Sequence, residues 1–445
     1  MNYLIEDLST LDAVKLSCQQ TGAFISVISS NDNYHPKLTT TVAVYIHGIG
    51  QPEGYIIPVD HSEGFNIGKK RLSATLDQIP IVYTVNKKEL LYHFNLQKAV
   101  DISLLHSMKK YEKLEYITVS EYLSTFYLKY KDIEIVNKII PLSKLYEYGK
   151  KLYSKVSEHI TTELPDGFNF YNNIATNVFY LIEQTGLEIP LESYKNLFTP
   201  KNIKYNYRDG IVYTSYNLYN STSRPTNAFN SVNFVAIPKT REHRECITPQ
   251  NDNFIEYDFD GYHLRLLAEQ IEYNFTEESA HEQLARLYFG KQEVTEEEYS
   301  QAKQINFQAI YGKIPEEHKN LEIFQKIQEY ITEMWRMYNQ EGFVCNPQSG
   351  KAFTRNLKDM HPQKLMNYMM QSLETSRNIL ILKDVLRYLK DKKTKIVLYT
   401  YDSIVVDLSL GDGKEVPNTI LKIMEEGGKF PVKNKIGTNL ILENI

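Results

Sequence analysis

The 445-residue sequence predicts a chain of mixed strands and helices, α/β or α+β in its first part, with a second region from about residue 210 to the end. Three observations predict this. The first 65 residues hold short β-branched runs split by turn-rich segments. Residues 102–186 carry apolar side chains at three and four spacing, the period of a helix with one buried face. Past residue 250, strand-like runs lead straight into helical ones. A chain of this length has room for two to three domains and a sizeable core.

Taken in order, "AFISVIS", "TTVAVYIHG" and "GYIIPVDH" read as strands, separated by "NDNYHP" and "GQPEG". "VSEYLSTFYLKY", "LSKLYEYGKKLYSKVSEHI" and "NNIATNVFYLIEQ" read as helices. "LEIPLESYKNLFTPKNIKYNYRDG" reads as a connector. In the second region, "FIEYDFDGYHLRLLAEQ" (254–270) starts as a strand and becomes helical, with Leu264, Leu267, Ala268 and Ile271 on one face. "TKIVLYTYDSIVVDLSL" reads as two strands meeting at "TYDS", a hairpin with Asp402 near its tip.

Composition narrows the function classes. An apolar fraction of 42% is that of a globular chain. Three widely spaced cysteines, Cys18, Cys246 and Cys345, exclude a disulfide scaffold and lack zinc-ligand spacing, which suits a reducing, cytoplasmic compartment. No signal-like start and no run of about 18 apolar residues occur, so no membrane partner is expected. The net charge of −5 opposes nucleic-acid binding, but Lys351–Lys395 reverses it locally, with eleven Lys/Arg against four Asp/Glu. A solvated helix face explains such a run equally well.

Two acids carry the first chemical signal. Asp260 sits at a strand-to-helix junction, where it serves either as a plain N-cap or as part of a site. Asp258 lies deeper in the strand, where capping is ruled out and a buried carboxylate needs a partner such as a metal ion. Paired with Asp402 from an adjacent strand, it could hold two Mg²⁺ ions about 3.5–4 Å apart, the spacing of in-line phosphoryl displacement. Hard oxygen ligands without thiolate or imidazole favour Mg²⁺, with Mn²⁺ as a substitute. In "YSQAKQINFQAIYGK", Lys303, Phe307 and Tyr311 recur every four residues and share a helix face, with about 40° of drift per step. That face suits a nucleotide: ammonium for phosphate, aromatics for sugar and base, and Gly312 for a turn. An amphipathic core stripe with a snorkelling lysine is the plain alternative.

Together these segments resemble the family A DNA polymerases, the group of bacterial DNA polymerase I and many phage replicases, over residues 210–445. "TSRPTN" and "NFVAIP" are similar to the family's TGRLSS and NLQNIP, which puts Arg224 against the primer-template minor groove. "DFDGYHLRLLAEQ" resembles DYSQIELRVLAH, with Asp258 as metal ligand, Phe259 lending its carbonyl, and Arg265 kept. "AHEQLARLYFG" resembles IHxxTAxxxFG and places His281 near the incoming triphosphate. "AKQINFQAIYG" matches AKxINFGxxYG, "NYMMQ" resembles NxPxQG with Asn367 and Gln371 at the primer-template junction, and "TYDSIVVD" resembles VHDEIVxE with Asp402 as second ligand. The resemblance implies template-directed addition of dNTPs to a primer 3′ end, with two Mg²⁺ ions and primer-template DNA as partner.

Departures from the pattern matter. His263 stands where the family has the glutamate that walls off the ribose 2′-hydroxyl, so altered discrimination against rNTPs is expected. Tyr299 replaces an arginine near the phosphates, and Tyr401 and Ser403 replace a histidine and a glutamate beside Asp402. The N-terminal region resembles the family's ribonuclease H-like proofreading domain. "GYIIPVDH" is similar to YYIPVAH, "LLYHFNLQKAVDISLL" to GHNxKFDxxxL and "YNNIATNVFYLIEQ" to YxxxDAxxTxxLxxxL. The strand "AFISVISSN" lacks Asp-x-Glu, the next two acids fall at Ala99 and Ala175, and Asp32 and Asp101 lie off register, so 3′–5′ exonuclease activity is expected to be absent. About forty residues separate Gln184 from Arg224, too few for the family's helical thumb.

The resulting expectation is an α+β chain, with a degenerate exonuclease-like domain at 1–190 and a polymerase palm and fingers at 191–445. It would be a phage-type enzyme without proofreading, aided by a processivity or replisome protein, in a bacterial or phage-infected cell. The alternatives are a catalytically weak nucleic-acid-binding scaffold on a polymerase frame and a single-subunit RNA polymerase-like enzyme.

Overall fold

The computed structural model describes residues 3–228, 232–311 and 313–444. Gly312, read above as a turn after the nucleotide-facing helix, lies outside the described residues. The architecture is α+β and divides into two compact units. Unit 1 takes the residues up to Tyr180 and Pro200–Ser215; unit 2 takes Leu181–Thr199, Tyr216–Ala228 and the residues from Val232 onward.

Unit 1 is built on a five-stranded sheet of order β3-β2-β1-β4-β5, made by β1 (Ala23–Ser29), β2 (Thr41–Gly48), β3 (Gly54–Pro58), β4 (Val82–Thr84) and β5 (Val100–Asp101). The first three pair antiparallel, as short turn-rich links allow, and β4 and β5 add in parallel after helical crossovers. β2 is buried at every position, and its middle, Val42–Ile46, is an apolar run covered on both faces. Helices α1 (Leu8–Cys18), α2 (Lys69–Leu76), α3 (Lys87–His93), α4 (Ile102–Lys110) and α5 (Leu142–Val156) surround the sheet. The last predicted helix of this stretch begins as a π-helix, Phe170–Ala175, and continues α-helical over Thr176–Glu183.

One contact in unit 1 admits only a bare backbone. Gly149 in α5 lies against the ring of Tyr45, where an added Cβ would fall 2.3 Å from the ring's Cγ. Tyr45 is fully buried and hydrogen-bonded to His47 Nδ1 at 3.0 Å, so it has no easy retreat. Gly149→Ala gains helix propensity of at most about 1 kcal/mol but overpacks the core by about 1–3 kcal/mol or more. We expect the melting temperature of the variant to fall by several degrees in a thermal scan.

Unit 2 centres on an antiparallel sheet of order β7-β8-β6-β9-β10, from β6 (Asn253–Phe259), β7 (Lys395–Tyr399), β8 (Ser403–Leu408), β9 (Val432–Gly437) and β10 (Glu443–Asn444). Around it lie α6 (Tyr262–Gln270), α7 (Ala280–Phe289), α8 (Glu296–Ile310), α9 (Glu322–Glu341), α10 (Pro362–Tyr388) and α11 (Val416–Glu425). Gly261 makes the strand-to-helix turn at φ 60°, where a Cβ would sit 3.1 Å from that of Ala280. α8 starts with a capping box between Thr295 and Glu298 and carries three acids in its first turn, favourable to its dipole. The segment read as a connector also contains a helix, Leu191–Phe198, and short strands. Among the described residues it is the only α-helix between Gln184 and Arg224.

Candidate active site

The three acids of β6 and its exit explain why carboxylates stand there. Glu256, Asp258 and Asp260 alternate along the chain and so point to one side of the sheet. β9 runs beside them with two lysines: Lys435 pairs with Glu256 at 2.9 Å, and Lys433 pairs with Asp260. Asp258, between them, is left without an ion pair among the described residues. Asp260 is no helix cap, contrary to one reading above: Gly261 occupies the N-cap position and no side chain caps α6. Burial works against Asp260's charge, but the Lys433 ammonium outweighs it and holds this carboxyl below its ordinary value.

Asp402 comes to Asp258 by strand pairing. Asp258 stands opposite Ser403, and the Phe259 amide donates to the Asp402 carbonyl at 3.0 Å. The β7–β8 turn is pinned on both sides. The Thr400 amide donates to the Ser403 carbonyl at 2.9 Å, and Asn378 of α10 donates to the Tyr401 carbonyl and to Tyr399 Oη. Tyr401 adopts φ 74°, a left-handed conformation costing about 1–3 kcal/mol in a non-glycine residue, retained only where the surroundings dictate it. Burial, then the charges of Asp402 and Glu256, raise Asp258 to about 6. Burial, then Glu374, raise Asp402. No ion pair among the described residues neutralises either acid.

Both acids open onto a cavity of about 290 Å³, in which the structure brings together most of the residues predicted from sequence. Arg224, Asp258, Phe259, His263, His281, Lys303, Phe307, Tyr311 and Asp402 all line it. Lys303 and Phe307 stand on the exposed face of α8, and Tyr311 caps its C-terminus. Lys303 Nζ lies 6.0 Å from the Phe307 ring centre, and Phe307 is 44% exposed, an open aromatic face. His281 is buried; burial, with Lys303 nearby, lowers it to about 4, so the ring is neutral. Asn306, fully buried beneath, donates to His281 Nδ1 at 2.9 Å and thereby places the remaining proton on Nε2. Arg224 stacks on Tyr401 with its guanidinium carbon 3.7 Å from the ring centre.

Asn367 and Gln371 do not line this cavity. They hydrogen-bond to each other at 2.9 Å, one turn apart on α10. Arg265 is structural: its guanidinium donates to the carbonyls of Asp260, Thr276 and Glu278, folding the chain after α6.

Sequence reasoning missed two members of the site, Glu374 and Lys433. Glu374 is 1% exposed, accepts from His263 Nε2 at 2.9 Å and pairs with Arg224 Nε at 2.9 Å. It follows Asn367 by seven residues and Gln371 by three, so the helical period puts it on their face. An acid at such a position among small and apolar neighbours, "MMQSLETS", is the signal that could have found it.

The site fits a divalent cation by its chemistry. It offers two adjacent carboxylates, neither ion-paired among the described residues, together with hard oxygen donors, no thiolate, and a neighbouring main chain at Phe259. Desolvation and neighbouring acids outweigh the pull of Lys435 and Lys433 on Asp258 and of His263 and Arg224 on Asp402. Among the described residues no group of three or more His, Cys, Asp or Glu is placed to hold a metal. Any cation there would rest on the pair, the main chain, water and ligand oxygens.

Unit 1 has its own cavity, of about 90 Å³, beside the end of β1. Ser26, Ser29, Asp32, Asn86, Glu89 and Tyr148 line it. Asp32 accepts from Tyr127 Oη and from the Ser120 amide at 2.9 Å. Asp101, considered above, is instead the N-cap of α4 and receives the Lys87 amide at 2.9 Å. Ala99 and Ala175 are core residues away from the cavity lining. The acid that sequence overlooked is Glu89, raised to about 7 by burial and by Asp32.

No family model matches the chain, and no curated protein is similar to it in sequence. Its structure is similar to the POL domain of Pol1 from M. smegmatis, solved in complex with DNA primer-template and dNTP. The TM-score is 0.70 over 98% of this chain and 99% of that chain, at 12% identity. The chain has the fold of a polymerase domain. At that identity the likeness is one of architecture, and the chemistry must be argued from the cavity itself. No helix among the described residues is long and apolar enough to cross a membrane.

Proposed function

We propose that the chain is a template-directed DNA polymerase of the family A kind, adding dNTPs to a primer 3′ end. The observation that carries this is the pair Asp258 and Asp402, left without ion pairs among the described residues while the acids two residues to either side of Asp258 are neutralised, and facing the Lys303–Tyr311 surface. A scaffold would have no use for two neighbouring acids, each raised by desolvation and without an ion pair among the described residues, beside an exposed lysine. The architectural likeness to a primer-template-bound polymerase domain supports the same reading.

Asp258 and Asp402, with the Phe259 carbonyl, would hold Mg²⁺, or Mn²⁺ in its place, which when bound supplies activation of the primer hydroxyl and charge neutralisation at the phosphates. The remaining work is done by the chain's own groups. Lys303 presents an ammonium to the triphosphate, and neutral His281 donates its Nε2–H to the same oxygens. Phe307 offers its open face to the nucleotide, and Tyr311 closes the cavity beside the template base. Arg224, held flat on Tyr401, reaches the primer-template together with Asn367 and Gln371. Discrimination among bases needs no side chain, because pairing with the template supplies it. Extension of a labelled primer by dNTPs but not by rNTPs, present with Mg²⁺ and abolished by EDTA, tests the reading.

We further infer that proofreading is absent. The sheet order of unit 1, three antiparallel strands followed by two parallel ones, supports a ribonuclease H-like reading. Its cavity offers only Asp32 and Glu89, and Asp32 is already engaged by Tyr127 and Ser120, too few free carboxylates for a two-metal centre. Pure protein is therefore expected to leave a 3′-mismatched primer intact; shortening of that primer, lost on replacing Glu89 by alanine, would refute this. The eight-residue helix Leu191–Phe198, where the family has a long pair, supports a reduced thumb. With fewer phosphate contacts behind the cavity, we propose a phage-type enzyme that works with a processivity protein in a bacterial cytoplasm.

A further inference from the structure

Glu374 sits beneath the cavity as a buried anion joined to two elements at once. On α10 it is 1% exposed; across from it His263 of α6 offers Nε2 at 2.9 Å, and Arg224 forms an ion pair with it, Nε lying 2.9 Å from Oε2 and Nη2 donating to Oε1 at 3.4 Å. A carboxylate has acceptors only, so the imidazole nitrogen facing it must carry the hydrogen. In the neutral ring this leaves the lone pair of Nδ1 on the other side, 3.3 Å from the Tyr311 hydroxyl, which donates to it. The His263 and Tyr311 rings meet edge-on, centres 6.4 Å apart at 85°. One acid thereby fixes the tautomer and the tilt of His263, and through it the orientation of Tyr311. Both rings line the cavity that also holds Asp258 and Lys303.

We propose that Glu374 is a positioning residue for sugar selection. By locking the His263 ring across the cavity floor it makes that ring a rigid wall against a ribose 2′-hydroxyl, and in its absence the ring turns about its side-chain torsions and the wall opens. The inference rests on the polymerase reading, and it differs from a mere counter-ion role for Arg224 by acting through His263. An acid on one helix and an imidazole on another together do what a single rigid side chain would do alone.

The test compares dNTP with rNTP insertion by wild type, Glu374→Gln, Glu374→Ala, His263→Ala and the double alanine variant. His263→Ala should lower discrimination about tenfold or more, the scale of a lost steric contact. Glu374→Ala should lower it nearly as much, and the double variant no further; Glu374→Gln, whose amide oxygen still accepts from Nε2–H, should recover part of it. Discrimination unchanged in Glu374→Ala, or an effect that adds in full to that of His263→Ala, would overturn the proposal. Nitrogen-15 spectra of wild-type His263 give a readout independent of turnover and of variant folding. A proton on Nε2 is expected, and a neutral ring protonated on Nδ1 would overturn the proposal. Wild-type protein that extends no primer with dNTPs would instead remove the polymerase reading, and this inference with it.

Discussion

Asp258→Asn is expected to abolish primer extension while making the protein more stable at neutral pH. The carboxylate is one of two that would hold the cation, and loss of that charge stabilisation removes several kcal/mol, so activity should fall by at least about 10³-fold. Stability moves the other way. Burial and the neighbouring Asp402 raise Asp258 to about 6 from an ordinary 3.8, so the folded state favours the protonated acid. Between those values the folded chain holds a proton the unfolded chain has released, and stability falls as pH rises through the window. Above about pH 6 the full cost is present; below about pH 4 it is gone. Allowing for solvent screening of a partly exposed group, Asn should gain about 1–2 kcal/mol at pH 7–8 in EDTA and nothing near pH 4. Mg²⁺ should raise the melting temperature of wild type and leave that of the variant unmoved. Thermal scans at two pH values, with and without Mg²⁺, check each part.

Lys303→Ala should cost about 10²–10³-fold in kcat/KM for the dNTP with little change in stability. The lysine is exposed, forms no ion pair among the described residues, and sits over the cavity at the Phe307 face, so its removal breaks no buried network. Surface substitutions of that kind move stability by no more than about 0.5 kcal/mol. A charge-assisted contact to phosphate at the cavity is worth about 3–4 kcal/mol at the transition state, which is the predicted loss. Lys303→Arg should retain part of the activity. Steady-state constants for a single templated insertion, with unfolding curves alongside, separate this from a folding defect.

The legible parts of the site were those whose chemistry is local in sequence. Asp258 was marked by an acid inside a strand, Asp402 by a hairpin tip, and Lys303, Phe307 and Tyr311 by a four-residue period. What escaped were partners set by pairing between distant segments. Nothing near Asp260 announces Lys433, because their meeting depends on the register of β6 against β9. That pairing is also what turns an apparent helix cap into a neutralised acid and leaves Asp258 as the acid of β6 without an ion pair among the described residues. Glu374 escaped for a related reason: a lone acid within a 27-residue helix reads as a solvated position until the helix is seen to pass beneath His263. In unit 1 the three antiparallel strands were plain from their β-branched runs. The two short parallel strands, two and three residues long, carry too little pattern to be read. With them goes the placement of Glu89 next to Asp32, which no local pattern announces.

The measurement that bears most directly on the central claim is Mn²⁺ binding, followed by electron paramagnetic resonance, to wild type and to the Asp258→Asn/Asp402→Asn variant, each with primer-template and a non-reacting dNTP analogue. Tight Mn²⁺ binding by wild type, lost in the variant while DNA binding persists, is the predicted result. Identical Mn²⁺ binding by both proteins would contradict it.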